Sequence, residues 1–127
     1  MNIIYKAVLL DPESKAKLMG AFPPSFNETF YHHMTIQFGV KTLDGDIGKP
    51  VELKVVGYKR DDKAEAVIVQ GVPRADGKVP HITLSVAPGV KPAYSNELVK
   101  SDWKPVDGPV LKGIISFYTD KGWVSSK

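Results

Sequence analysis

Two segments of this chain alternate polar and apolar residues with a period of two, and the polar positions match. His33, Thr35 and Gln37 alternate with Met34, Ile36 and Phe38, and His81, Thr83 and Ser85 alternate with Ile82, Leu84 and Val86. Successive side chains on a strand point to opposite faces, so each segment predicts a strand with one apolar side and one polar row. The triplets His33-Met34-Thr35 and His81-Ile82-Thr83 are each followed by Gly-Val-Lys, as Gly39-Val40-Lys41 and Gly89-Val90-Lys91. We read the pair as two copies of one device.

The rest of the pattern fills in around them. Ile3–Leu10 reads as a buried strand. Asp11 is a cap candidate with Pro12 at the first helical position, so a short helix should run to about Gly20. Pro23-Pro24 then enforces a loop. A second strand is expected over 30–38, ending at Gly39, with a turn at 44–46. Segments 51–59 and 64–72 form a hairpin around Arg60-Asp61-Asp62-Lys63. A polar loop at 74–78 leads into a strand over 80–86, and Gly89 marks a turn after it. A short helix is expected within 93–101, with Ser95 as its cap. A last strand covers 110–119, turns at 120–122 and extends through Trp123 and Val124. About seven strands and one or two short helices make an α+β fold, mainly antiparallel, in a single domain over 1–127.

Composition narrows the function classes. The 127 residues include 43% hydrophobic and 24% charged side chains, which suits one soluble globular domain. With no cysteine, disulfides, thiol catalysis and Cys-rich zinc sites are excluded, and a reducing cytoplasm is the expected setting. No signal peptide or membrane span is expected. A net charge of +3 suits a polyanionic ligand but is too small to argue for extended duplex binding.

The two polar rows contain no Lys, Arg, Asp or Glu, unlike an ordinary solvated face, and resemble the lining of a wet cleft instead. Phosphodiester cleavage needs one group to take a proton from the attacking hydroxyl or water and another to protonate the departing oxygen. Histidine suits both tasks, since its unperturbed pKa near 6.5 leaves both protonation states accessible. Each threonine, roughly 7 Å along the strand from its histidine, can donate to the non-bridging oxygens where charge concentrates. Lys41 and Lys91, just past the strands, are placed to add charge at the rim.

The segments His32-His33-Met34-Thr35-Ile36 and Pro80-His81-Ile82-Thr83-Leu84 resemble the paired His-hydrophobic-Thr/Ser-hydrophobic strands of the 2H phosphoesterases. That superfamily includes LigT-like RNA 2′,3′-cyclic phosphodiesterases, the cyclic phosphodiesterase part of tRNA ligases, 2-5A-degrading enzymes and phage enzymes that destroy cyclic-nucleotide signals. The resemblance implies a compact bilobal sheet with pseudo-twofold symmetry and a cleft holding both motifs. It implies metal-independent catalysis without a cofactor, His33 and His81 as acid/base pair, and Thr35 and Thr83 as phosphate ligands. The motifs here lie only 48 residues apart, 33 to 81, so the accessory lobes of larger relatives should be missing. The expected substrates are a 2′,3′-cyclic phosphate RNA end or a small cyclic or 2′-5′ oligonucleotide. A monomer with no protein partner is expected. A non-catalytic RNA- or nucleotide-binding module using the same cleft is the alternative.

Further candidates are weaker. Tyr5, Tyr118 and Trp123 can stack on a base or simply pack. Arg74 and Lys78 can clamp a phosphate or sit as exposed loop charges, and Gln37 and Ser85 continue the polar rows. His32 is expected to be a packed or surface residue. His32 and His33 should point apart along a strand, which argues against a shared metal ion.

Overall fold

Asp11 ends the first strand and starts the first helix. Its carboxylate accepts the Ser14 amide at 2.7 Å, and Pro12 occupies the first turn. In the computed structural model, which describes residues 1–126, the elements are β1 (Ile3–Leu10), α1 (Pro12–Ala21), β2 (Glu28–Thr29), β3 (His33–Phe38), β4 (Pro50–Arg60), β5 (Ala64–Gln70) and β6 (His81–Val86). A 3-10 turn (Pro92–Tyr94) runs into α2 (Ser95–Leu98), followed by β7 (Lys104–Pro105), β8 (Val110–Thr119) and β9 (Gly122–Val124). The fold is α+β with an antiparallel sheet. Among the described residues no helix is long and apolar enough to cross a membrane.

Six strands close on themselves in the order β4-β5-β6-β3-β1-β8, with β8 returning to β4. Closure relies on the length of β4. Its first half pairs with β8, from Pro50 against Ile114 to Lys54 against Val110, and its second half pairs with β5, ending at Arg60 against Glu65. The β4–β5 turn is held by Asp61, whose carboxylate accepts the Lys63 and Ala64 amides at 2.8 and 3.0 Å. Inside the barrel lie Val8, Met34, Leu53, Val67, Ile82, Leu111 and Phe117, with Leu18 added from α1. A second apolar cluster lies outside the barrel, where Leu98 and Val99 cover Ala64, Ala66 and Ile68 of β5.

The strand expected over 30–38 starts later, at His33. Tyr31 adopts φ 61 and separates β3 from β2, a two-residue strand that precedes the expected segment and pairs with β6. The tyrosine is fully buried and its hydroxyl donates to the Phe22 carbonyl at 2.6 Å, which offsets an unusual backbone conformation for a bulky residue. The hairpin partner expected to reach residue 72 stops at Gln70, because Gly71 takes φ 139. β7 lacks any alternating pattern of its own.

Gly113 marks a close approach between strands, since a Cβ there would lie 2.5 Å from the Leu9 carbonyl oxygen. Gly20 in α1 has open space around it. Gly113→Ala should therefore lower stability by about 1–3 kcal/mol. Gly20→Ala should raise it by up to about 1 kcal/mol, the helix-propensity difference. Chemical denaturation of the two variants should move in opposite directions, and a shared direction would contradict the packing described.

Candidate functional site

β3 and β6 meet at one paired position, Met34 against Ile82, and both side chains are fully buried in the barrel. The residues on either side of that pair consequently face outward. Continuing the antiparallel ladder by one residue sets His33 beside Thr83 and Thr35 beside His81. The two histidines then lie on a diagonal, with Cα atoms about 7–8 Å apart. All four line a single cleft of about 570 Å³.

Each of these strands bulges at the residue after its threonine. β1 pairs Ala7 with Thr35 and Lys6 with Gln37, leaving Ile36 unpaired. β5 pairs Ala66 with Thr83 and Glu65 with Ser85, leaving Leu84 unpaired. The neighbours match as well: Val8 and Val67 sit against Met34 and Ile82, and Leu9 and Ile68 against His33 and His81. A bulge leaves a carbonyl outside the ladder, and both are used. Ile36 accepts the Ala75 amide at 2.9 Å and Leu84 accepts the Phe30 amide at 2.8 Å. These bonds fasten the two segments that wall the cleft.

The bulges also interrupt the alternation that the sequence predicts. Phe38 turns outward, 52% exposed and edge-on to Tyr5 at 5.6 Å, where it lines the cleft. Gln37, expected in the polar row, is exposed and lies outside the cleft lining. Ser85, expected beside it in β6, is fully buried opposite Glu65, and its hydroxyl accepts the Phe26 amide at 3.2 Å. Lys41 is exposed and outside the cleft, whereas Lys91 lines it.

Aromatic rings fill the half of the cleft around His33. His32, His33, Tyr5 and Tyr118 stack in series, with centroid separations of 4.8, 5.1 and 5.3 Å. Trp123, carried by β9, lies within 5.1–6.4 Å of all four. His32 lies just outside β3 and packs on its neighbours, but it does not point away from His33 as expected. Tyr31 breaks the strand before it, so strict alternation does not apply, and its Nδ1 lies 2.7 Å from Nδ1 of His33. Burial, then the nearby His32 and His81, push His33 down to about 3 from its ordinary 6.5.

The half around His81 is polar. The His81 Nδ1–H donates to the Val79 carbonyl at 2.9 Å, since a carbonyl can only accept, and this directs Nε2 to Ser95 Oγ at 3.0 Å. Ser95 Oγ also lies 2.7 Å from Thr83 Oγ1 and 2.8 Å from the Pro92 carbonyl. Burial lowers the His81 pKa; the Val79 bond opposes this, Arg74 adds to it and Asp76 opposes it. The Arg74 side chain is 2% exposed, with Nε and Nη2 on Asp76 and Nη1 on Asn96 at 2.8 Å. Lys78 lies in a separate groove with Pro73, Val79 and Trp103.

Ser95 is the site residue that sequence reasoning missed. It was expected as a helix cap, but α2 is preceded by Tyr94 and has no side-chain cap. Asn96, Phe30 and Phe38 also line the cleft without a sequence signal that marked them. Among the described residues no group of three or more His, Asp or Glu side chains is gathered to hold a metal ion. Compared with family models, curated proteins and solved structures, the chain finds no match.

The pKa of both imidazoles is lowered in the folded protein, while the unfolded chain takes up their protons near pH 6.5. The unfolded state therefore binds more protons below that pH, and stability falls as pH drops from about 6.5 toward about 3 for His33. Each unit in that window removes at most about 1.4 kcal/mol per group. His33→Gln should flatten the decline in urea midpoint between pH 6 and 4. Equal slopes in the two proteins would contradict the burial assigned to this ring.

Proposed function

We propose that the chain is a metal-independent phosphodiesterase of the 2H type, working in the cytoplasm as a monomer. Its substrate in this reading is a 2′,3′-cyclic phosphate RNA end or a small cyclic or 2′-5′ oligonucleotide, including the cyclic-nucleotide signals that phage enzymes degrade. One observation carries the proposal. Two His-x-Thr strands lie side by side in one cleft, each threonine paired to an alanine and each followed by a bulge. The matched registers of β1–β3 and β5–β6 support a pseudo-twofold axis at the Met34–Ile82 pair and two lobes related by it.

In this reading a phosphate sits over the Met34–Ile82 pair, with the two imidazoles on opposite sides of phosphorus and Thr35 and Thr83 donating to its oxygens. His33, held neutral, takes the proton of the attacking water. The His81 side supplies a proton to the departing oxygen. Tyr5, Tyr118 and Trp123 offer a face for the base, and Lys91 brings positive charge to the opposite end, where Arg74 is buried and paired with Asp76. The same aromatic wall favours a second reading, a nucleotide-binding module without turnover.

Incubation with 2′,3′-cyclic mononucleotides and with cyclic di- and trinucleotides separates the two. The enzyme reading expects product in the presence of excess chelator. His33→Ala and His81→Ala should each cut turnover by about 10²–10⁴-fold while the circular dichroism spectrum stays native. Tight binding with no product from any of these compounds would favour the binding module. Activity lost to chelator and restored by zinc would reject the mechanism. Trp123→Ala should weaken nucleotide binding by about 1–3 kcal/mol, the usual worth of one base–aromatic stack. Unchanged affinity by calorimetry would remove this ring from the base site.

A further inference from the structure

The two imidazoles have different surroundings, although their strands match. The His33 Nδ1 meets another ring, and its other nitrogen takes no part in that contact. The His81 Nε2 instead meets a hydroxyl, Ser95 Oγ, that is 1% exposed and touches Thr83 Oγ1 on its far side. Ser95 is fixed from behind. Leu98 and Val99, three and four residues on, are buried in the second apolar cluster, and Asn96 is bonded to Arg74. A small displacement of Ser95 would break all of these contacts together.

We propose that Ser95 is a positioning residue that couples His81 to Thr83, so that this imidazole exchanges its proton with the substrate through two hydroxyls. The proposal rests on the phosphodiesterase reading of the same cleft. The imidazolium passes its Nε2 proton to Ser95 Oγ, Ser95 passes its own to Thr83 Oγ1, and Thr83 protonates the departing oxygen as its bond to phosphorus breaks. Meanwhile water forms the new bond to phosphorus and leaves its proton on His33. His81 ends neutral, His33 ends charged and both hydroxyls are restored. The Pro92 carbonyl, 2.8 Å from Ser95 Oγ, gives the hydroxyl a resting acceptor when Nε2 carries a proton. Arg74, Asp76 and His33 act on His81 electrostatically and Lys91 lines the same cleft, while the hydrogen bond at Nε2 is to Ser95.

The relay predicts an asymmetry between the two motifs that a structural serine would not produce. Ser95→Ala should lower kcat on a 2′,3′-cyclic mononucleotide by about 10²-fold or more, with KM little changed. The alkaline limb of the pH–rate profile should disappear while the acid limb remains. Ser95→Ala should add nothing to the loss caused by Thr83→Ala, because each change breaks the same chain. Ser95→Thr, which keeps the hydroxyl, should restore the wild-type profile. Imidazole NMR gives a reading that needs no turnover. A hydrogen bond to the charged ring is about twice as strong as one to the neutral ring, so removing Ser95 should lower the His81 titration midpoint by about one unit and leave His33 unmoved. An unchanged profile together with an unmoved His81 midpoint overturns the proposal. If the wild-type protein turns over none of the substrates, the phosphodiesterase reading fails, and the His81 midpoint then decides the Ser95 coupling separately.

Discussion

The barrel closes between β3 and β6 on one paired position, Met34 against Ile82, and the geometry of the cleft follows from that pairing. With both side chains directed into the core, parity sends His33, Thr35, His81 and Thr83 outward. A slip of one residue would place the histidines in the hydrophobic interior and the apolar side chains in water. Register here is held from both sides. Val8 and Leu9 fix β3 from β1, and Val67 and Ile68 fix β6 from β5.

A cleft built on the outside of a barrel needs walls, and the two bulges provide their anchorage. Each frees one carbonyl, on Ile36 and on Leu84, to hold a segment that does not belong to the barrel. The segment at Ala75 brings Arg74 to the polar end, and the segment at Phe30 leads into His32 and His33. Aromatic and polar halves are thereby set on opposite ends of one hollow. Such a division suits a ligand with an aromatic base at one end and anionic groups at the other. It also leaves both imidazoles desolvated, which lowers both of their pKa values.

Much of this arrangement is written locally. Alternation over 33–36 and 81–84 predicts the correct face for both motifs, and Asp11-Pro12 marks the start of α1 at the right residue. What local pattern does not contain is the pairing partner. The bulges at Ile36 and Leu84 arise where Lys6–Ala7 and Glu65–Ala66 run past them, so Gln37, Phe38 and Ser85 end up on faces that alternation assigns wrongly. Ser95 was hidden for a related reason. Nothing in Tyr94-Ser95-Asn96 announces that Leu98 and Val99 will dock on β5 and carry a hydroxyl to His81. The equal Gly-Val-Lys tails likewise did not distinguish Lys91, in the cleft, from Lys41, outside it.

The phosphodiesterase reading requires one phosphate to be shared by the two motifs. Titration of isotope-labelled protein with a nucleoside 3′-monophosphate, followed through the imidazole resonances, tests this directly. The His33 and His81 signals should shift together and yield a single dissociation constant. Movement of only one ring, or two rings responding at unrelated concentrations, would contradict it.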